Sequence, residues 1–314
     1  MIRSIAGLRM AFLSSVQGGA GRGRAVALVL SRLAFPGLVT LAALAVATPC
    51  GAETLKANFA LSLLGLSIGH ASASGVIEGR SYRIDISMRT TGLASLVNDT
   101  RGAATASGAL SSEGLTPTSY ANTTSNTYET RTVRMSLAGN SVRAVHVDPT
   151  PWDLPVRIPV TEGNKSHITD PVSALIMSVP ASEPLVGPSA CNRTIPVFDG
   201  VTRFDVTLSF VEMRNVETHG YSGPVSVCAA RYRPIAGHRP DSASTRFMAE
   251  NSDITVWLAP LQTAHAVVPY RMALRTNVGM LTVEPAEFHL GGRRQAADRS
   301  SADRSAPERS AADQ

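Results

Sequence analysis

Lysine is almost missing from this chain: Lys56 and Lys165 are the only two in 314 residues. Each has a glutamate three positions before it, so no Ser-x-x-Lys acylation motif exists. No glycine-rich phosphate loop occurs after residue 52. The seven histidines stand singly, at 70, 146, 167, 219, 238, 265 and 289, and none shows the His-x-His or His-x-x-x-His spacing that turns two imidazoles onto one metal. No metal, cofactor or catalytic residue is therefore assigned. Long apolar runs are missing too. The longest, LAFPGLVTLAALAVA at 33–47, has 15 residues and contains Pro36 and Gly37, short of the roughly 20 that a bilayer span needs.

Acidic residues are absent before Glu53, while Arg3, Arg9, Arg22, Arg24 and Arg32 all fall there. The formal charge of +5 thus comes from the first 52 residues, and the remainder carries 24 basic and 24 acidic side chains. A neutral body has no electrostatic footprint for nucleic acid, so no nucleic-acid partner is expected. A basic region, an apolar region and small residues before a polar start describe a secretory signal peptide over 1–52. Cleavage is expected after Ala52, with Ala47 as second choice. Pro49 argues against lipidation at Cys50, and the long basic region suggests a true start at Met10 or later. The rival reading is an uncleaved inner-membrane anchor, the one route to membrane association. Periplasmic localisation follows from the first reading.

Export bears on cysteine. With Cys50 removed, Cys191 and Cys228 remain, and an even pair in an oxidising compartment most simply forms one disulfide.

From Glu53 onward the pattern has period two. Strands are expected at 54–64, 66–77, 81–90, 101–110, 117–126, 129–137 and 141–147, and again at 203–213, 223–235, 253–260, 266–276 and 279–290. In SYRIDISMRT, Tyr82, Ile84, Ile86 and Met88 alternate with Arg83, Asp85, Ser87 and Arg89. DPTPWDLPVRIP (148–159) is too rich in proline for a central strand. A buried helix is expected to open at Thr169 or Asp170, either of which can cap it, with Pro171 at its first position and VSALIMSV apolar all round. Residues 241–250 read as a short capped helix or an irregular link. The repeats of ADRSS type from Ala297 hold no apolar side chain larger than alanine, so 291–314 is expected to be a disordered tail. One β-rich domain, 53–290, results. The expected fold is all-β: a long twisted antiparallel sheet curled into an incomplete barrel around one short buried helix, with a β-sandwich as the alternative.

Chemistry concentrates in CAARYRPIAGHRPD (228–241). On an extended strand Arg231 and Arg233 share a face away from Cys228, and with Arg239 beyond they could clamp a carboxylate or phosphate. The competing reading has them solvated at a sheet rim. His238, in the turn, would act as a general base only if a carboxylate oriented it.

The strings YxGPVxVCxxRYxPIxGHRP (221–240), DITVWLAP (253–260), VPYR (268–271), DPVSAL (170–175), LLGLSIGHASASG (63–75) and TTGLASLV (90–97) resemble the bacterial exported family catalogued as domain of unknown function 3108. The resemblance implies a periplasmic or envelope-associated β-rich domain and no particular activity. Two functions stay open. One is a non-catalytic envelope protein holding an apolar or amphipathic ligand, lipid-like or anionic, or supporting envelope assembly. The other is a periplasmic hydrolase of cell-wall or lipid material using His238 and the nearby arginines.

Overall fold

A computed structural model describes residues 52–111 and 114–292 of the chain. The expected signal segment, apart from Ala52, and the expected tail beyond Gly292 lie outside the described residues.

The alternating apolar pattern gives a meander of hairpin neighbours: β1 (Glu53–Leu63), β2 (Leu66–Glu78), β3 (Ser81–Thr90), β4 (Arg101–Ser111), β5 (Gly114–Ser125), β6 (Thr130–Ala138) and β7 (Ser141–Asp148), with the short helix α1 (Leu93–Val97) between β3 and β4. Turn chemistry fixes the register. Gly139 and Asn140 both take positive φ, 56° and 55°, the pair that a two-residue hairpin between twisted strands requires. A connecting strap, 149–192, carries β8 (Met177–Ser178) and the one-turn helix α2 (Pro188–Cys191). A second meander follows: β9 (Arg193–Phe198), β10 (Arg203–Thr218), β11 (Tyr221–Ala236), helix α3 (Ala243–Glu250), β12 (Ile254–Leu261), β13 (Ala266–Thr276) and β14 (Gly279–Gly292).

The two meanders join because β14 pairs antiparallel with β1 along its whole length, from Glu53 opposite Gly292 to Leu63 opposite Leu281. The result is one antiparallel sheet, with β7 and β9 at its ends, curled but not closed. The all-β expectation holds, and the sandwich alternative falls because all these strands belong to one hydrogen-bonded sheet.

The sheet is split between β13 and β14. β13 and β14 pair only from Met272–Val283 to Thr276–Gly279. Past that point they diverge, and β8 takes the place beside β13, opposite Ala266 and Val267. On the other lip, the amide of Phe288 donates to the carbonyl of His219 at 2.8 Å, so the tip of the β10–β11 hairpin docks onto β14.

The strap is where the structure departs from the sequence reading. The α-helix expected over 170–178 is a single 3-10 turn, Ser173–Leu175, followed by the extended β8. The cap itself is present: Asp170 Oδ1 accepts from the amides of Val172 and Ser173 at 3.0 and 2.8 Å. Apolar character all round arises because the strap touches two cores, not because it is a buried helix. Ile168, Val172 and Ile176 enter a first cluster with Tyr82, Ile84, Tyr120, Val133 and Phe288. Met177 and Val179 enter a second with Leu208, Val256, Leu258 and both cysteines. A short apolar run does not distinguish these cases by periodicity. Strand β9 was not expected either. Its Pro196 suits an edge position, and the strap covers that edge: Thr169 donates to Pro196 and accepts from Phe198. Residues 243–250 are helical, capped by Ser242 Oγ from the Thr245 amide. β14 runs to Gly292, two residues past the expected domain end.

Cys191, at the end of α2, is bonded to Cys228 on β11, with the Cα atoms 5.6 Å apart and both side chains fully buried. The bond spans 37 positions, for which the chain-entropy account gives about 4 kcal/mol. Alkylation without reductant is expected to leave Cys191 and Cys228 unlabelled, and the double variant Cys191→Ala/Cys228→Ala to lose about that much stability in urea titration. Labelling of both thiols would refute the bond.

Asp170 is fully buried, and its second oxygen, Oδ2, has no hydrogen-bond partner. Burial pushes its carboxyl above the usual range, against the opposing pull of the Ser173 hydroxyl and the two capped amides. The folded chain therefore holds this proton over a pH window in which the unfolded chain has lost it. The associated stability is full below the ordinary carboxylate value and is lost as pH rises through the raised one. Asp170→Asn keeps the capping oxygen and removes the titration. The wild-type melting temperature, relative to the variant, is expected to rise as pH is lowered from about 7 to about 4. A difference that does not change with pH would contradict the assignment.

Candidate functional site

Two apolar cavities meet at the strap residue Leu175. One, of about 120 Å³, lies among Leu55 and Phe59 of β1, Ile84 and Ile86 of β3, and Val268 and Tyr270 of β13. The other, of about 240 Å³, lies against Val206 and Leu208 of β10, Ala230 of β11, Val256 of β12 and Leu274 of β13, under Pro171 and Ala174 of the strap. Leu175, Pro269 and Met272 line both. The strap turn held by Asp170 thus sets the partition between them.

One cation stands at the wall of the smaller cavity. Arg271 forms an ion pair with Glu284 at 2.5 Å and lies over the Trp257 ring, 4.8 Å from its centroid. Its Nε is buried and has no hydrogen-bond partner. Below it, Tyr270, Phe288, Tyr221 and Phe59 form an aromatic cluster with centroid separations from 5.2 to 6.4 Å. Burial pushes the Tyr221 hydroxyl up to about 12, so it stays a neutral donor, to the Pro224 carbonyl at 2.8 Å.

The residues singled out in the sequence go to separate partners. Arg231 and Arg233 do share a face of β11. Arg233 pairs with buried Asp205 on β10, which also holds Arg203, both at 2.5 Å. Burial raises the Asp205 carboxyl, and the Arg233 and Arg203 guanidiniums outweigh this and hold it below the usual range. Arg231 donates to the Asn251 carbonyl at 3.1 Å. Arg239 pairs with Asp241 at 3.0 Å. An incoming anion would have to displace Asp205 and Asp241 from these arginines. His238 lends its backbone to the strap, accepting from the Ile158 amide at 2.9 Å while Gly237 donates to Ile158. Its Nδ1 is buried and unpartnered, and among the described residues no carboxylate lies within ion-pair distance of it. The orienting acid that a general base needs is not at this position.

Two features escaped the sequence reading. The string GLSIG at 65–69 matches the Gly-x-Ser-x-Gly pattern of a nucleophile elbow. It forms a hairpin turn and the start of β2, with Ser67 exposed on a strand, so the strand-turn-helix context of an elbow is missing. The second is a gathering of His219, Glu287 and His289, whose ligand atoms lie within 4.8 Å of one another. His219 is 68 residues from Glu287 along the chain, and no spacing rule reaches across that distance.

No curated protein is significantly similar to the chain. Among solved structures, it is similar to the crystal structure of a beta-barrel-like protein of domain of unknown function DUF1849 from Brucella abortus. The identity is 8% and the TM-score 0.42, over 78% of this chain and 99% of that one. Residues 57–284 match the family described as "Protein of unknown function (DUF3108)", and the chain belongs to that family.

Proposed function

We propose that the protein is an exported, non-catalytic component of the cell envelope that carries an amphipathic ligand, an acyl chain with an acidic head. The observation that carries this reading is the pair of apolar cavities meeting at Leu175, with Arg271 at the wall of one. Together they reach the lower end of the roughly 300–1,000 Å³ usual for small-molecule sites. An apolar chain would lie along Ile84, Leu55 and Val268 and pass Leu175 toward Val206 and Val256. Arg271 meets Glu284 through Nη2, so its unpartnered Nε would donate to the head group without displacing that carboxylate, in line with the rule that buried polar atoms find a partner. The disulfide supports the exported location, since such bonds persist in oxidising compartments. Among the described residues no helix is long and apolar enough to cross a membrane.

Native mass spectrometry of protein purified from the periplasm without detergent is the direct measurement. A reproducible adduct of lipid mass is expected, and a bare protein mass in every preparation would overturn the reading. Leu175→Trp, which fills the partition, is expected to abolish the adduct while the circular dichroism spectrum is retained. Arg271→Leu is expected to weaken displacement of a fluorescent fatty acid about tenfold, the loss of one charge-assisted hydrogen bond. Equal binding by both variants and the wild type would place the ligand elsewhere.

A further inference from the structure

We infer that His219, Glu287 and His289 form a binding site for a divalent transition-metal ion of the zinc class, on the face of β14 opposite the aromatic cluster. The site does not depend on the ligand-carrier reading, since it uses none of the residues that line the cavities.

Period-two geometry puts the first two ligands together. Glu287 and His289 are two apart on β14, so both project from one face, while Phe288 between them is fully buried on the other. The third ligand comes from the docked hairpin tip. The Phe288 amide bonds to the His219 carbonyl at 2.8 Å, which places the His219 imidazole beside Glu287, Nδ1 to Oε1 at 3.9 Å. The two imidazoles meet edge to face with their centroids 5.2 Å apart.

The surroundings orient these groups as outer-shell partners of a metal do. Asn58, opposite Glu287 on β1, donates from Nδ2 to Glu287 Oε2 at 2.8 Å, leaving Oε1 directed at His219. Gly220, at φ +93°, lies against His289, and a Cβ there would fall inside the contact distance of the imidazole ring. Glycine at 220 therefore meets two demands at once, a left-handed backbone and the close approach of the tip to the ligand. The cation nearest in register is Lys56, opposite His289 on β1, whose exposed chain is free to turn to solvent.

Two imidazoles and one carboxylate suit zinc, nickel and copper better than the oxygen-seeking magnesium or calcium. Tetrahedral bonds of about 2.0–2.2 Å hold ligands about 3.4 Å apart. The present maximum of 4.8 Å closes by side-chain rotation, for which the 74% exposed His219 has room. Three protein ligands leave a fourth position to water. Because the ligands lie on both β14 and the β10–β11 tip, the ion would tie the docked tip to β14 and stabilise the fold by linkage.

The test is isothermal titration of the untagged protein with zinc chloride in a non-chelating buffer, with a thermal melt in parallel. One ion per chain is expected, with a raised melting temperature. His219→Ala, His289→Ala and Glu287→Gln are each expected to weaken binding at least tenfold and to remove the thermal shift. Asn58→Ala, which keeps all three ligands, is expected to weaken it about tenfold. His146→Ala, an exposed histidine on β7, should bind like the wild type. No binding by the wild type, or binding that the ligand variants leave unchanged while their circular dichroism spectra match it, would overturn the site.

Discussion

The pairing of β1 with β14 is the constraint on which the other features rest. It joins the two ends of the described chain, with Asn58 bonded to Glu287 across 229 positions. Closing so long a loop costs about 5 kcal/mol in chain entropy beyond a constant term. Burial along the seam offsets this. Phe288 is fully buried opposite Ala57, and Leu55 sits opposite Leu290. A buried phenylalanine alone stabilises by about 2–3 kcal/mol. Without the seam each meander would present a long unpaired edge, the arrangement that invites pairing between molecules. With it, the exposed edges are confined to β7 and β9, and the strap covers part of the second.

Beside this seam the sheet splits: β14 stays with β1, while its pairing with β13 is short. Pairing between β13 and β14 ends at Met272–Val283. Two segments from elsewhere then take up the free backbone groups: β8 on the β13 lip and the carbonyl of His219 on the β14 lip. Buried amides must find acceptors, and the chain meets that need with its strap and its hairpin tip. The cavities lie where the strap passes Leu175, and the histidine cluster lies where the tip docks.

Much of the sheet was legible in the sequence because strand periodicity is local. Tyr82, Ile84 and their alternating neighbours specify β3 whatever else the chain does, and the Gly139–Asn140 turn specifies its hairpin. The cysteine pair was legible because, with Cys50 set aside in the expected signal segment, two cysteines allow a single connectivity. The strap was not. Its conformation is decided by hydrogen bonds to β9, β13 and the 237–238 turn, each a non-local competitor to the helix that Asp170 and Pro171 begin. The arginine cluster was legible as charge but not as partnership. Nothing in CAARYRPIAGHRPD says that Asp205, on the neighbouring strand, already holds Arg233 and Arg203. The same limit hid His219 from Glu287 and His289.

The inferred metal site and Phe288 of the aromatic cluster that borders the smaller cavity occupy opposite faces of β14, which bears on how the two sites can affect each other. Phe288 lies between Glu287 and His289 in the chain and points to the other side, where it touches Phe59 and Tyr270. Those two rings are walls of the smaller cavity. An ion on the outer face would hold the hairpin tip, and with it Tyr221, against Phe288 and Tyr270. An acyl chain on the inner face would press on the same rings from the cavity side. Coupling between sites requires an element whose equilibrium both occupants bias. The aromatic cluster is physically placed to be that element, because Tyr221 rides on the docked tip while Phe59 and Tyr270 line the cavity.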